Sequence, residues 1–119
     1  AESLNNLGTI LSELGKHEDA IGPAKEAVEM RRKLAEQNPQ AFLPDLARSL
    51  GVYGNVLLAL EQYSEAVQAF TEGIKHLAPF YRKHPQAFTG LADALKRSYI
   101  NACQKAGQEP DGDLLTQLE

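Results

Sequence analysis

An all-α fold built from a repeated pair of helices is what this sequence predicts, and three observations carry the prediction. Sliding the chain along itself by 46 residues aligns 12 identical residues in 42 positions without a gap, among them Gly8 with Gly54 and Pro39-Gln40-Ala41-Phe42 with Pro85-Gln86-Ala87-Phe88. Apolar residues inside each unit recur at steps of three and four, the spacing that puts side chains on one face of an α-helix. No stretch alternates apolar and polar residues as a half-buried strand does.

The first helix is read from Leu4, Leu7, Leu11 and Leu14, with Ser3 as its N-cap and Gly15 as its stop. A second carries Ala20, Ala24, Ala27, Val28, Leu34 and Ala35, with Glu18 and Asp19 near its positive end. Asn38-Pro39 is expected to end it, because the residue before proline is pushed out of helical angles. Pro-Gln-Ala-Phe then reads as a connection. The second unit repeats the plan, first with Leu46, Leu50, Tyr53, Leu57 and Leu60, then with Ala66, Val67, Phe70, Ile74 and Leu77. Pro23 and Pro79 fall inside helices, where proline costs about 3 kcal/mol, so each is expected to kink its helix or shift its start. Phe80 and Tyr81 continue the apolar stripe, which favours a bend at Pro79 over a break. A fifth helix is predicted from about Thr89 to Ala106 through Leu91, Leu95, Tyr99 and Ala102 or Cys103, ending at Gly107. A turn at Glu109-Pro110-Asp111-Gly112 follows, then one amphipathic turn through Leu114, Leu115 and Leu118.

Composition narrows the function classes. With 43% hydrophobic and 24% charged residues, the 119-residue chain has the balance of a single globular domain. No apolar run approaches the roughly 18 residues a membrane span requires. The net charge of −4 offers no footprint for duplex nucleic acid. One cysteine makes neither an internal disulfide nor a thiolate zinc site. His17, His76 and His84 lack metal-ligand spacing and read as surface or repeat-edge residues, while Cys103 reads as a small buried hydrophobe. Arg31, Arg32 and Lys33 read as a solvated face, with Lys33 placed to pair with Glu29. No nucleophile elbow or glycine-rich phosphate loop is present, so no enzyme and no cofactor is expected. The chain opens on Ala1 without a signal segment, which is read as a fragment of a longer, cytoplasmic protein.

Small and large residues at fixed points on paired helices resemble the tetratricopeptide repeat. The pattern is Leu4, Leu7-Gly8, Leu11, Ala20, Ala24, Ala27 in unit one and Leu50, Tyr53-Gly54, Leu57, Ala66, Phe70, Gly73 in unit two. The 46-residue period exceeds the family's common 34 and is similar to the long-period arrays of kinesin light chains and bacterial multidomain proteins. The resemblance implies a right-handed α-α superhelix with two repeats (1–46 and 47–90), followed by a capping helix and tail (91–119), together one domain. It also implies a concave groove lined by the first helix of each repeat. That face would carry Asn5, Asn6 and Thr9 in repeat one and Arg48, Gly51, Val52, Asn55 and Leu58 in repeat two. Two registers fit the fifth helix; they differ over Asn101, and both place Arg97 and Gln104 in the groove. Asparagine suits such a surface because its amide both donates to and accepts from a peptide backbone. Relatives that clamp a C-terminal carboxylate carry cations where this chain has Asn5 and Val52, so that clamp is not expected. The implied function is a non-catalytic scaffold holding a protein or peptide partner in the groove. The alternative is a structural, sensor or self-association segment of a larger signalling protein, with a second copy or further repeats covering the exposed repeat end.

Overall fold

The computed structural model describes residues 17–119, so the expected first helix, with Asn5, Asn6 and Thr9, lies outside the described residues. The described chain is helical, in the order α1 (His17–Gln37), α2 (Pro39–Ala59), α3 (Tyr63–Lys83), α4 (Pro85–Ala106) and the short α5 (Gly112–Thr116). Each long helix packs on the next, α2 also reaches α4, and α5 folds back on α3. This serial stacking is that of an α-α superhelix.

One correction concerns the helix starts. Pro39-Gln40-Ala41-Phe42 and Pro85-Gln86-Ala87-Phe88 are not connections; they are the first turns of α2 and α4. Single residues, Asn38 and His84, separate α1 from α2 and α3 from α4. Asn38 both stops α1 and caps α2, its Oδ1 accepting from the Ala41 amide at 3.3 Å. Proline at the first helical position surrenders an amide that had no partner anyway, and its fixed φ suits the helix. The early start of α2 brings Pro44 inside that helix as well. Neither Pro23 nor Pro79 interrupts its element: α1 runs through Pro23, and α3 runs through Pro79 to Lys83.

The core is the apolar stripe of each helix. Ala20, Ala24, Ala27, Val28, Leu46, Leu50, Leu57, Ala66, Phe70, Ile74, Leu77, Leu95, Tyr99 and Cys103 are all buried. Gly54 shows how tightly α2 meets α3. A Cβ placed there would lie 2.6 Å from the Phe70 ring, inside any real contact distance, so the ring occupies the space a side chain would need.

Both described first helices end alike. Beyond α2 the Gln62 amide bonds back to the Leu57 carbonyl at 2.9 Å, and beyond α4 the Gln108 amide bonds to Cys103 at 3.0 Å. This closure needs a left-handed residue one step earlier. Gly107 takes it with φ 73°, and Glu61, at the same repeat position, takes it with φ 62°.

The basic run on α1 also departs from expectation. Arg32 and Lys33 are exposed, but Arg31 is only 2% exposed. Its Nη1 donates to Ser49 Oγ at 2.7 Å and to the Asp45 carbonyl at 3.2 Å, both on α2. Arg31 sits on the core-facing stripe between Val28 and Ala35, where helical geometry buries whatever residue is present. Arg32 instead spans to α3, where it pairs bidentately with Glu72. Glu72 also bonds His76 at 3.1 Å. Burial pushes the Glu72 carboxyl up, but the hydrogen bonds from Arg32 and His76 outweigh it and hold the group below its ordinary value.

The chain's last turn is held by specific contacts. Asp111 caps α5, accepting from the amides of Asp113 and Leu114, and its own amide donates to Tyr99 Oη at 2.9 Å. Leu118 is fully buried, and Lys96 Nζ donates to its carbonyl at 3.2 Å.

Candidate functional site

Two helices of like position, α2 and α4, lie side by side and face the same way. Between them is an apolar hollow of about 160 Å³, lined by Arg48, Gly51, Val52 and Asn55 of α2 and by Leu91, Ala94, Leu95 and Ser98 of α4, with Phe70 at its floor. Helical spacing puts Arg48, Val52 and Asn55 on one stripe, four and three residues apart. The 46-residue offset places Ala94, Ser98 and Asn101 on the same stripe of α4. A second, shallower hollow, bounded by Ala94, Arg97, Ser98 and Asn101, continues the first, because Ala94 and Ser98 line both.

The structure therefore brings together Arg48, Val52 and Asn55, with Arg97 in the adjoining hollow. Val52 is half-buried and also packs beside Ala20, Ala24 and Val56. Asn55 is exposed. Leu58 is half-buried against the main core, and Gln104 is exposed about two turns beyond Arg97. Neither of these two lines the hollows between α2 and α4. Gly51 is buried: a Cβ there would stand 3.2 Å from Leu95 Cδ2, so its close approach serves helix packing. Sequence reasoning missed Leu91, Ala94 and Ser98. The signal for the last two was present, since they are the 46-residue equivalents of Arg48 and Val52.

The site's electrostatics are simple. Arg48 pairs with Asp45, one turn earlier on α2, at 3.1 Å. Arg97 Nε donates to the Asp93 carbonyl at 3.4 Å. On the opposite side of the stack, Arg32, Glu65, Gln68 and Glu72 rim a hollow of about 260 Å³ over Leu50, Tyr53 and Leu57, with the Arg32–Glu72 ion pair at its edge. Cys103 is fully buried on the core-facing side of α4, and burial pushes its thiol above the ordinary range, which disfavours the reactive thiolate. Among the described residues, no group of three or more His, Cys, Asp or Glu converges as metal ligands would. No described helix is long and apolar enough to cross a membrane.

Comparison with known families adds an independent line. Residues 1–40 match the tetratricopeptide repeat, and residues 47–75 match it a second time. No curated protein and no solved structure matches the chain. The two family matches together take in more than half of the sequence, and the serial helix pairs with a small residue at Gly54 are the arrangement they call for. On both counts the chain belongs to the tetratricopeptide repeat family.

Proposed function

We propose that the protein is a non-catalytic scaffold that holds an extended peptide segment of a partner protein in the groove between α2 and α4. Tetratricopeptide repeats generally mediate protein–protein interactions, and this supports the scaffold role. The observation that carries the finer reading is the composition of the groove. The apolar hollow is edged by Asn55 and Ser98, and Asn101 lines the adjoining one, so an anchor side chain and the amides beside it are both served. Extended peptides offer unpaired backbone groups that such side chains can satisfy. Asn5, Asn6 and Thr9 would extend the polar edge into repeat one, with Leu58 and Gln104 at its margin. A cytoplasmic location is part of the same proposal.

Short peptides selected for binding to the full chain provide the test. Their affinities are measured against wild type, Asn55→Ala and Lys83→Ala, the last an exposed residue at the far turn between α3 and α4. A loss of about threefold to tenfold at Asn55 with none at Lys83 is expected from deleting one neutral hydrogen-bonding side chain. Equal affinity for all three proteins removes Asn55 from the binding surface.

A further inference from the structure

α1 and α3 both pack along α2 and scarcely touch each other. The gap they leave is the hollow of about 260 Å³ on the side of the stack away from the groove, with Leu50, Tyr53 and Leu57 beneath it. Glu65, Gln68 and Glu72 form one stripe of α3 along its rim. The α2–α3 hairpin closes from Gln62 back to Leu57, so Glu65 stands at the Leu57 end. Glu72 stands at the Leu50 end, about 10 Å further along α3. Arg32 and His76 both bond Glu72, which closes that end. The Glu65 carboxylate enters no ion pair among the described residues. The Tyr53 hydroxyl and the Gln68 amide likewise have no protein hydrogen bond there.

We propose that this hollow receives the side chain of an arginine on the surface of a partner protein, with Glu65 as its counter-ion. The proposal shares the scaffold role with the groove reading above but does not depend on the groove. Charge complementarity names the occupant. The only cation on the rim, Arg32, is shared with Glu72 at the far end, which leaves one carboxylate unmatched. Its distance from Arg32's partner, about 10 Å, is about a Debye length at physiological salt, so the far ion pair does little to neutralise it. Leu57 and the Tyr53 ring offer an apolar bed for a methylene stem. At its head a guanidinium finds the Glu65 carboxylate, which can take it bidentately, and the Gln68 carbonyl and Tyr53 hydroxyl as further acceptors. A lysine would match the charge but supply neither the planar fork nor the face that stacks on an aromatic ring. An anion would meet Glu65 and find Arg32 already engaged, so the site selects as well as attracts.

The test is a heteronuclear NMR titration of the isotope-labelled full chain with N-acetyl-arginine-N-methylamide. Its lysine counterpart, its uncharged citrulline counterpart and spermidine are titrated in parallel. Wild type is expected to show saturable amide shifts within 50–57 and 65–72, with affinity falling from arginine to lysine to citrulline. Arginine should exceed citrulline about tenfold, the advantage of a charge-assisted hydrogen bond. Glu65→Gln should erase that ratio; Glu65 is exposed, so the variant keeps the fold, which circular dichroism checks. Citrulline binding as well as arginine, a ratio that Glu65→Gln preserves, or no saturable shift overturns the proposal. Lysine binding more tightly than arginine overturns the choice of a guanidinium, and spermidine binding more tightly than either makes the ligand a free polyamine and overturns the partner side chain. Shifts centred on Arg48, Val52 and Asn55 place the cation in the groove and overturn this site. None of these results decides whether a peptide occupies the groove, which the Asn55→Ala comparison reads separately.

Discussion

Arg31 and Ser49 form a buried polar contact whose equivalent one repeat later is apolar, and exchanging the two is the most informative perturbation of this fold. Adding 46 to each number gives Leu77 and Leu95, both fully buried. At the α1–α2 junction a guanidinium stands 2% exposed with two neutral acceptors, the Ser49 hydroxyl and the Asp45 carbonyl. No carboxylate shares its charge among the described residues, so the contact must offset a large desolvation cost with two hydrogen bonds. Ser49→Ala removes one of them and leaves the charge with a single carbonyl, a loss of about 1–3 kcal/mol. Arg31→Leu together with Ser49→Leu removes the charge and the hydroxyl at once. Side chains of seven and two heavy atoms become two of four, so the volume is nearly conserved and overpacking is small. Exchanging a buried charge for apolar packing is often worth about 1–4 kcal/mol, and a gain of about 1–2 kcal/mol is expected here. Urea denaturation followed by circular dichroism, on wild type, both single variants and the double, closes the cycle. The singles should lose stability where the double gains it. A neutral Ser49→Ala together with a double variant at least as unstable as the sum of the singles would show that the guanidinium bears no such cost.

Three further outcomes follow from the geometry. Glu61→Gly should raise stability by about 1 kcal/mol in the same urea assay, since Glu61 holds φ 62° where its repeat equivalent is Gly107 at φ 73°. A loss on that substitution would mean that the Glu61 side chain matters more than its backbone. Gly54→Ala should cost about 1–3 kcal/mol, because the new methyl falls 2.6 Å from the Phe70 ring; adding Phe70→Leu should recover part of the loss, and a harmless Gly54→Ala would refute the close approach. Glu72→Gln should cost about 0.5–1 kcal/mol at pH 7, a small figure because the Arg32 side chain is 46% exposed. The folded Glu72 titrates below its ordinary 4.5, so its contribution is present above that value and is lost as pH falls through the lower folded one. Wild type and variant should therefore draw together in stability as pH falls below 4.5, and a gap that does not narrow on acidification would contradict the assignment.

The legible part of this fold is the part that depends on pattern. Ala66, Val67, Phe70, Ile74 and Leu77 are read from spacing alone, and all five are buried, because a helix that packs on one side has no other use for such a stripe. Helix starts were harder. Asn38-Pro39 satisfies the rule for ending one helix and the rule for beginning the next, and a one-residue connection applies both at once. The stop rule alone places the start of α2 near Leu46 and hides Pro44 inside the helix.

Arg31 shows why the rest was not legible. A run of Arg31-Arg32-Lys33 looks solvated by composition, but a helix turns about 100° per residue, so three neighbours in sequence point three ways. One of them must fall on the stripe continuing from Ala24, Ala27 and Val28 to Ala35, and that one is buried regardless of its charge. The repeat contained the answer, since the equivalent position is Leu77. The same arithmetic applies to the groove. Ala94 and Ser98 hold no residue that composition would single out, yet they stand where Arg48 and Val52 stand one repeat earlier, and the hollow runs between the two sets. In a stacked array the position within the repeat decides where a side chain goes, and the residue at that position decides only what it does there. Arg97, the equivalent of buried Gly51, is therefore the informative departure: α2 has no side chain at this position, whereas α4 presents a charged one.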